Sequence, residues 1–256
     1  MKNKYAIIVV SCDKYNCLWD AFFNRFFKYW PKPELPIFLI SNQISSSVKN
    51  VKSIRVKNIN NWSKGLCIAL SEIKEEFVYL LLDDIYIDYE INESRLIELV
   101  NFLEKGNVNY LNTKGTPYPR GKTAGNKIRE IIKGSHYRVS LCNAFWRTET
   151  LKSLLKSGEN PWQFELNGTL RAEALDGFYG TTDELINYLH VIVGGKLAIN
   201  LPREELGIKH IENQFTKMNY LEKLILSLSK IRGKIFCIVI PQKIQSRLRR
   251  NFANFI

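Results

Sequence analysis

The feature that most constrains the fold is an alternation, over the first 112 residues, of short apolar runs with longer amphipathic segments. The apolar runs are rich in β-branched residues, which is typical of strands buried on both faces of a sheet. They cover residues 5–11, 36–41, 51–56, 77–82 and 108–112. Between them, residues 18–30, 62–74 and 94–105 place apolar side chains at helical spacing. The alternation predicts an α/β fold with a parallel sheet covered by helices on both faces.

The second half of the chain is less regular. Residues 113–136 are rich in Gly, Pro, Lys and Arg, which indicates a mobile or functional loop inside a domain. Residues 137–146 are predicted to form a strand and residues 148–158 a helix. The stretch 159–175 is predicted as a turn followed by a helix, and 191–199 as a late hairpin.

Size and composition exclude several classes of protein. The chain has 256 residues, 45% of them hydrophobic, so it can bury the core of one large domain. Its five cysteines include no CxxC pair, which argues against a zinc cluster or a disulfide framework and predicts free thiols. The first apolar run is too short for a signal peptide, and no stretch is long enough to span a bilayer. We therefore expect a cytoplasmic protein.

Positive charge is concentrated at the end of the chain. Of the net charge of +12, residues 217–256 carry +8, from nine Lys and Arg against a single acid, Glu222. Apolar residues in the first part of this segment share one helix face, from Leu221 to Ile231. A basic amphipathic segment of this kind fits the anionic surface of a membrane, to which the protein would bind peripherally. The alternative is that the apolar face packs on the domain and the charges are solvated.

An acidic pair follows the fourth apolar run. In FVYLLLDD, Asp83 and Asp84 come directly after six apolar residues, at the end of a predicted parallel strand. Ligands of open parallel sheets bind beyond the carboxyl ends of the strands. The sequence contains neither GxGxxG after the first strand nor GxxxxGK[ST]. This leaves a site that holds phosphate through Mg²⁺ or Mn²⁺ bound to carboxylates. The alternative is that the acids only cap the next turn.

The sequence resembles a group of bacterial glycosyltransferases with a GT-A-like fold that build surface polysaccharides such as O-antigen and capsule. The resemblance runs from about residue 5 to about residue 200, and its most specific pieces are SCDKY (11–15), LLLDD (80–84) and PWQFE (161–165). It implies a Rossmann-like, mostly parallel sheet, a nucleotide-sugar donor and a glycan acceptor, lipid-linked if the protein works at a membrane. It also implies a donor-binding half, 1–112, and an acceptor-binding half, 113–214. The basic amphipathic sequence beyond it predicts a helical extension, 215–256.

The resemblance assigns the donor to the carboxyl ends of the first strands. Asp83 and Asp84 correspond to the DxD motif of the family, with one acid touching the ribose and the other the metal-bound diphosphate. The residues after strands one and two, and the start of the second helix, line the same cleft. These are Ser11, Cys12, Asp13, Tyr15, Asn42 and Trp62. Asp13 has the alternative of a helix cap, and Tyr15 and Trp62 that of packing aromatics.

PWQFE supplies the candidate base. An inverting transfer needs a carboxylate to take the proton of the acceptor hydroxyl, and Glu165, beside Trp162 and Phe164, suits that role. The alternative is a helix-start acid at N3. Candidates on the acceptor side are Arg138, Trp146, Trp162, Arg171 and Asp176, with a core role as the alternative for Trp146.

Metal dependence is open at the level of sequence. Ile85 and Tyr86 stand where a strict DxD would place its second acid, so Asp84 is the expected metal ligand, with His190 as a second candidate. His190 has the alternative of a structural role. The basic loop around Arg120, Lys122 and Lys127 could neutralise the diphosphate in place of Mn²⁺ or Mg²⁺.

Two other functions remain as alternatives. A nucleotidyltransferase acting on sugar phosphates also uses carboxylates at a sheet edge, but SCDKYNCLW lacks the glycine-rich signature of that class. A nucleic-acid-binding protein would account for the charge, but the aromatic residues follow core periodicity. We therefore expect no nucleic-acid partner.

Overall fold

The computed structural model describes residues 4–31, 33–57, 61–115, 118–198, 214–224 and 227–228. Within them the chain begins with four parallel strands, and α-helices follow the first and the third, as the apolar pattern predicts. The strands of the first half are β1 Tyr5–Val10, β2 Ile37–Ser41, β3 Val51–Arg55, β4 Phe77–Leu82, β5 Ile85–Ile87 and β6 Tyr110–Asn112. Its helices are α1 Asn16–Tyr29, α2 Trp62–Glu72 and α3 Glu93–Glu104.

The second half adds short strands and two more helices. The strands are β7 Thr123–Gly125, β8 Ile128–Glu130, β9 Ala144–Arg147, β10 Phe178–Thr181, β11 Tyr188–His190, β12 Ile192–Val193 and β13 Lys196–Leu197. The helices are α4 Thr148–Leu154 and α5 Pro161–Arg171. β12 and β13 form the predicted late hairpin, and β7 and β8 form a second hairpin inside the predicted loop 113–136.

The main sheet has nine strands in the order β3-β2-β1-β4-β9-β6-β10-β8-β7. β9 runs antiparallel to both neighbours, as β8 does, and the other seven strands share one direction. The chain winds from β1 outward to β3 and then crosses back to β4 on the other side of β1. The strand order therefore reverses between β1 and β4, and a crevice opens outside their carboxyl ends.

Two hydrophobic cores cover the two faces of the sheet. α1 buries Leu18, Trp19, Phe22, Phe23 and Phe26 on one face, next to α3. α2, α4 and α5 pack on the other face, where Leu66, Leu70, Leu151 and Phe164 are buried. Every residue of β1 and β2 is buried, which accounts for their continuous apolar sequence.

The prediction of a strand over 137–146 is wrong for most of its length. Only 144–147 are extended, and 137–143 form a bent loop in which Tyr137 and Asn143 have φ of 48° and 54°. These left-handed conformations are incompatible with a continuous strand. The loop leads into β9, so it lies at the carboxyl ends of β4 and β6, the antiparallel neighbours of β9.

The C-terminal extension is described only in part. Residues 220–224 and 227–228 are helical, and most of the predicted extension 215–256 lies outside the described residues. Phe215, just after the predicted domain boundary, is buried in the core, so the division at 214 stays a prediction. No helix among the described residues has the length and apolar character needed to cross a membrane.

Candidate active site

The acidic pair lies beside β1 at the reversal of strand order. Val10 and Leu82, the last residues of β1 and β4, are partners in the parallel ladder, so Ser11 and Asp83 leave the sheet side by side. Asp83 and Asp84 form the turn between β4 and β5. The apolar run ends in carboxylates because the strand leaves the core at this edge.

Asp83 is enclosed. It is 3% exposed and accepts a hydrogen bond from the Ser11 hydroxyl, which itself accepts one from Trp19 Nε1 at 2.7 Å. Burial raises the pKa of Asp83 well above its usual value, and the neighbouring Asp84 charge raises it further. Asp83 therefore holds β4 to β1, and its side chain is not open to solvent.

Asp84 is the accessible acid of the pair. It is partly exposed, and burial raises its pKa to about 6. Its backbone carbonyl accepts a hydrogen bond from the Val191 amide at 2.8 Å, which ties the turn to β11 and the hairpin that follows. A carboxylate that is anchored through its backbone and open at its side chain can bind a cation or a substrate hydroxyl.

His190 lies on β11, the strand that pairs with β5 directly after the acids. It is the register partner of Ile85, and its ring stands 5.3 Å from that of Tyr188 on the same strand face. The described residues contain no cluster of three or more His, Cys, Asp or Glu able to hold a metal ion. The available set is thus one open carboxylate, with a histidine on the strand that pairs with the residues after it. Such a set suits a metal shared with a substrate diphosphate better than a protein cage.

The residues after β1 divide between the cleft and the scaffold. Burial raises the pKa values of Cys12 and Tyr15, and the Asp83 charge raises both further. The Asp84 charge also raises the pKa of Tyr15. The Tyr15 ring packs on Phe215, with centroids 5.3 Å apart. Tyr15 therefore lies on the Asp84 side of the crevice, and Cys12 lies beside Asp83.

The Asp13 carboxylate is hydrogen-bonded to the backbone of the loop after β2. It accepts hydrogen bonds from the backbone amides of Asn42, Gln43 and Ile44 at 3.0 to 3.2 Å. The Asn42 side chain accepts one from the Asp13 amide at 3.1 Å. This reciprocal pairing joins the loops after β1 and β2. It favours a positioning role for Asp13 over a direct contact with a nucleobase, and it replaces the predicted helix cap.

Glu165 lies at the same edge of the sheet, on α5. Its Oε1 accepts from the Ser140 hydroxyl and from the Leu141 amide, both at 2.8 Å. Burial raises the pKa of Glu165, while these two hydrogen bonds and the Lys114 charge act in the opposite direction. The predicted alternative of an N3 acid is wrong, because Asn160 caps α5 and Gln163 closes the capping box. The Glu165 carboxylate therefore takes no part in capping α5.

The sequence analysis missed two residues of this cleft, Lys114 and Cys142. Lys114 follows β6, with its ammonium 5.0 Å from the centre of the Tyr188 ring. Cys142 precedes β9 and feels the charges of Lys114, Asp84 and Glu165. Lys114 stood in the predicted loop without a pattern to single it out, since only the tertiary structure brings β6, β9 and β11 together. Burial raises the pKa of Cys142 to about 12, so its thiol stays protonated.

The two tryptophans near the cleft differ in exposure. Trp62 is partly buried, and its ring packs on Phe164 at 6.0 Å, at the start of α2. Trp162, in the first turn of α5, is 71% exposed. Trp162 lies three residues from Glu165 on the same helix, so it is available as a platform for a sugar ring.

Two predicted acceptor residues are corrected to core residues. Trp146 is 0% exposed and packs on Tyr110, Phe164 and Phe178, so it cannot contact an acceptor. Arg138 is 1% exposed and donates to the carbonyls of Ile131, Ala172 and Leu175. Its guanidinium joins the backbone at Ile131 to the turn at residues 172–175.

Arg171 and Asp176 are also corrected. Arg171 forms a bidentate pair with Glu159, at 2.8 and 2.6 Å, and donates from Nε to the Leu154 carbonyl. Asp176 precedes β10, so it lies at the amino-end edge of the sheet, opposite Asp84. There it forms an exposed ion pair with Lys133. Neither side chain faces the cleft.

The predicted basic loop lies at the far end of the sheet. Lys122 is exposed and Arg120 is partly buried. Lys127 lies in the turn between β7 and β8, 3.5 Å from the Asp183 carboxylate. β8 is separated from β4 by β10, β6 and β9. Because neighbouring strands are about 4.8 Å apart, this loop is roughly 19 Å from Asp84 along the edge. Lys114 is the closer cation.

Comparison with known proteins identifies the fold. No protein-family model and no curated protein sequence matches the chain. Among solved structures, S. aureus TarS 1–349 in complex with UDP-GlcNAc aligns over 92% of this chain and 73% of its own, with 16% identity and a TM-score of 0.51. The full TarS structure aligns over 92% and 44%, with 15% identity and a TM-score of 0.47.

A mannosyltransferase, PcManGT from Pyrobaculum calidifontis in complex with GDP-Man and Mn²⁺, aligns over 76% of this chain and 59% of its own. Its identity is 13% and its TM-score 0.47. The likeness to TarS 1–349 concerns the fold alone. It confirms the predicted GT-A-like architecture, a mostly parallel central sheet flanked by helices.

Proposed function

We propose that the protein is a glycosyltransferase that moves a sugar from a nucleotide-sugar donor to an acceptor hydroxyl. One observation carries the proposal: an open carboxylate, Asp84, follows β4, and a buried carboxylate, Glu165, is anchored to the loop that leads into β9, the antiparallel neighbour of β4, so both lie at the same carboxyl edge. This pairing supplies one acid for the donor and one for the acceptor. The GT-A-like fold supports it, since the TarS 1–349 structure with that fold holds UDP-GlcNAc.

The donor is proposed to lie across the ends of β2, β1 and β4. Asn42 and Tyr15 would contact the nucleoside, with Ser11, Cys12 and Trp62 lining the crevice. Asp83 would not contact the donor and would instead hold β4 against β1. Asp84 would contact the ribose or the diphosphate. This arrangement follows from the reversal of strand order between β1 and β4.

Glu165 is proposed as the general base. Its Oε1 is occupied by Ser140 and Leu141, and no hydrogen bond to its Oε2 is found within the described part of the chain. Oε2 would take the proton of the acceptor hydroxyl as that oxygen bonds to the anomeric carbon and the bond to the nucleoside diphosphate breaks. A raised pKa brings a carboxylate closer to the proton affinity that general-base catalysis at neutral pH needs. The transfer would invert the anomeric carbon.

Mn²⁺ or Mg²⁺ is proposed to bind through Asp84. One carboxylate, with His190 on the adjacent strand, fits an ion that fills its remaining positions with diphosphate oxygens and water. When bound, the ion would supply positive charge to the departing diphosphate. Asp83 is not proposed as a metal ligand, because it is 3% exposed and bonded to Ser11.

The acceptor is proposed to be a surface glycan of the O-antigen or capsule type, carried on a lipid. Trp162 remains the predicted acceptor contact that is exposed near Glu165. The division into a donor half, 1–112, and an acceptor half, 113–214, agrees with Asp84 and Glu165 belonging to different halves. The basic extension would hold the protein at the anionic face of the cytoplasmic membrane.

Ligand-induced thermal shift tests the donor site. Wild type and Asp84→Ala are heated with UDP, GDP and CDP and with their common sugar conjugates, with and without Mn²⁺. We expect one nucleotide to raise the Tm of wild type, most strongly with Mn²⁺, and Asp84→Ala to lose the Mn²⁺-dependent part. That part should also fade as pH falls through about 6, because protonated Asp84 cannot bind the ion.

Asp183→Ala, which alters an acid at the other end of the edge, is the matched control and should respond like wild type. A nucleotide-induced rise in Tm that is the same with and without Mn²⁺ would contradict the proposed metal site but support the proposed donor site. The absence of any shift, together with no turnover of any sugar nucleotide, would contradict the proposed function. Turnover of a sugar phosphate with a nucleoside triphosphate would favour a nucleotidyltransferase.

A further inference from the structure

Lys114 is held at the reaction edge by its loop. The loop follows β6 and is fixed by the Leu185 amide donating to the Thr113 carbonyl at 2.9 Å. Gly115, with φ of 68°, comes so close to Asp183 that an added Cβ would lie 3.2 Å from its carbonyl oxygen. Lys114 therefore leaves the backbone from a fixed point.

The ammonium of Lys114 is also fixed. It stands over the Tyr188 ring, 5.0 Å from the centroid, and interacts with the Tyr188 hydroxyl. Tyr188 belongs to β11, which pairs with β5 beyond the acidic turn. A cation over an aromatic face gains electrostatic attraction, which offsets part of the cost of its burial.

The loop that carries Lys114 touches the loop that anchors Glu165. The Thr113 amide and hydroxyl donate to the Asn143 carbonyl at 2.9 and 2.8 Å. Two residues before Asn143, the Leu141 amide binds Glu165 Oε1. The loop after β6, which carries Lys114, is therefore bonded to the loop before β9, which holds Glu165, and the Lys114 charge lowers the pKa of that carboxyl.

The other groups that face Glu165 are neutral near pH 7. Tyr110 and Cys142 both feel the charge of Glu165, and burial raises the pKa of each, so both keep their protons. Ser140 and the Leu141 amide are uncharged donors. Among the described residues, Lys114 is the charged side chain that acts on Glu165.

We infer that Lys114 is a positioning residue whose ammonium keeps Glu165 ionised and ready to accept the proton of the acceptor hydroxyl. The inference rests on the proposed function, in which Glu165 is the base. Burial alone would favour protonated Glu165, and a protonated carboxyl cannot act as a base. Lys114 opposes that effect, so transfer should persist to lower pH than an isolated buried carboxyl would permit.

The experiment measures the protonation of Glu165 directly. Protein labelled with ¹³C at the glutamate carboxyl carbons is titrated by NMR, and the Glu165 signal is identified by its absence in Glu165→Gln. Lys114→Met should raise the pKa of Glu165, and Lys114→Arg should restore it toward the wild-type value. Lys52→Met, at an exposed position on β3 near the other end of the sheet, is the matched control and should change nothing.

The pH profile of transfer gives the second readout. In Lys114→Met the acid limb of kcat should move to higher pH, with roughly a tenfold loss of rate on that limb for each pH unit of movement. Lys114→Arg should recover most of this loss, and KM for the donor should change little. Thermal unfolding of each variant checks that it is folded at the pH values used.

Two outcomes would overturn the inference. One is a Glu165 titration that is the same in Lys114→Met and wild type. The other is a large rise in donor KM with an unmoved acid limb, which would make Lys114 a ligand of the diphosphate. If wild type transfers no sugar at all, the proposed function fails, and the NMR titration still decides whether Lys114 controls Glu165.

Discussion

At the scale of single residues, burial decides which polar and aromatic side chains can act. Trp146 and Trp162 are the same residue type in neighbouring motifs, yet one is 0% and the other 71% exposed. Among the charged residues, the guanidinium groups of Arg138 and Arg171 donate hydrogen bonds to carbonyl and carboxylate oxygens inside the protein. Buried charges need such partners, so a buried arginine is a poor candidate for a ligand contact.

Glu165→Gln should abolish most of the transfer activity without unfolding the protein. Glutamine keeps the size of the side chain but cannot take a proton, so kcat should fall by about 10²–10⁴-fold. Nucleotide affinity should stay within about twofold, because the proposed donor site is at Asp84 and not at Glu165. Steady-state kinetics and nucleotide titration measure the two quantities.

Asp176→Asn is the matched control for Glu165→Gln, since Asp176 lies at the opposite sheet edge with its side chain 87% exposed. It should leave kcat unchanged. An active Glu165→Gln enzyme would remove Glu165 as the base. A loss of activity in Asp176→Asn would instead restore that residue as an acceptor contact.

At the scale of elements, the antiparallel strand β9 brings its preceding loop into the candidate site. Because β9 runs against β4 and β6, the residues that precede it arrive at the carboxyl edge, where Ser140 and Leu141 bind Glu165. The sequence 137–146 is rich in strand formers, which explains the wrong strand prediction. The left-handed conformation of Asn143 breaks the run before β9 begins.

The entry to β10 depends on a glycine. Gly177 has φ of 80°, and its carbonyl accepts from the amides of Asn109 and Tyr110, which places β10 beside β6. An added Cβ would lie 2.0 Å from the Asn107 carbonyl oxygen. Only glycine permits this approach of two backbones.

Gly177→Ala should therefore destabilise the fold more than Gly158→Ala. Gly158 has φ of 97° and no atom within 4 Å of an added Cβ, so it shares the conformational cost, about 1–2 kcal/mol, without the clash. The clash should add about 1–3 kcal/mol at Gly177. Denaturant unfolding of both variants measures the difference, and equal losses would contradict the proposed contact with Asn107.

At the scale of the whole molecule, the basic extension continues from the active-site region. Phe215 packs on Tyr15, and the Leu197 amide and carbonyl bond to Thr216 and Met218 at 2.9 Å. The helical residues that follow expose large apolar side chains: Tyr220, Leu221, Leu224 and Leu228. An exposed apolar stripe beside a basic segment favours binding at an anionic membrane surface.

Charge removal in the extension should weaken binding to anionic vesicles. The changed residues are Lys243, Arg247, Arg249 and Arg250, each replaced by Gln. Each basic residue near an anionic surface contributes about 1 kcal/mol, so four together should weaken binding roughly 10³-fold. Co-sedimentation with phosphatidylglycerol vesicles at increasing salt measures it.

A charge-matched variant provides the control. Four exposed lysines of the first 64 residues are replaced by Gln: Lys49, Lys52, Lys57 and Lys64. This variant should bind the vesicles like wild type. Equal weakening by both variants would mean that net charge alone drives the binding, and no binding by wild type would remove the membrane from the proposal.

The amino-acid sequence by itself determined the features that depend on neighbours along the chain. Apolar periodicity predicts β1, β2, β4, α1 and α2, because the spacing of apolar residues along the chain shows whether one face of an element is buried or both. It also determined that Asp83 and Asp84 end a buried strand, which located the candidate site. The free thiols are a confirmed prediction for Cys12, Cys17, Cys67 and Cys142.

Only the tertiary structure decided which distant residues meet at the sheet edge and which side chains lose solvent. Ser11 meets Asp83, Ser140 meets Glu165 and Lys114 meets Tyr188. These pairs arise from strand order, from the reversed direction of β9 and from the pairing of β5 with β11. Such contacts join residues 25 to 74 positions apart, and no local pattern records them, because the free energy that selects them comes from packing the complete sheet.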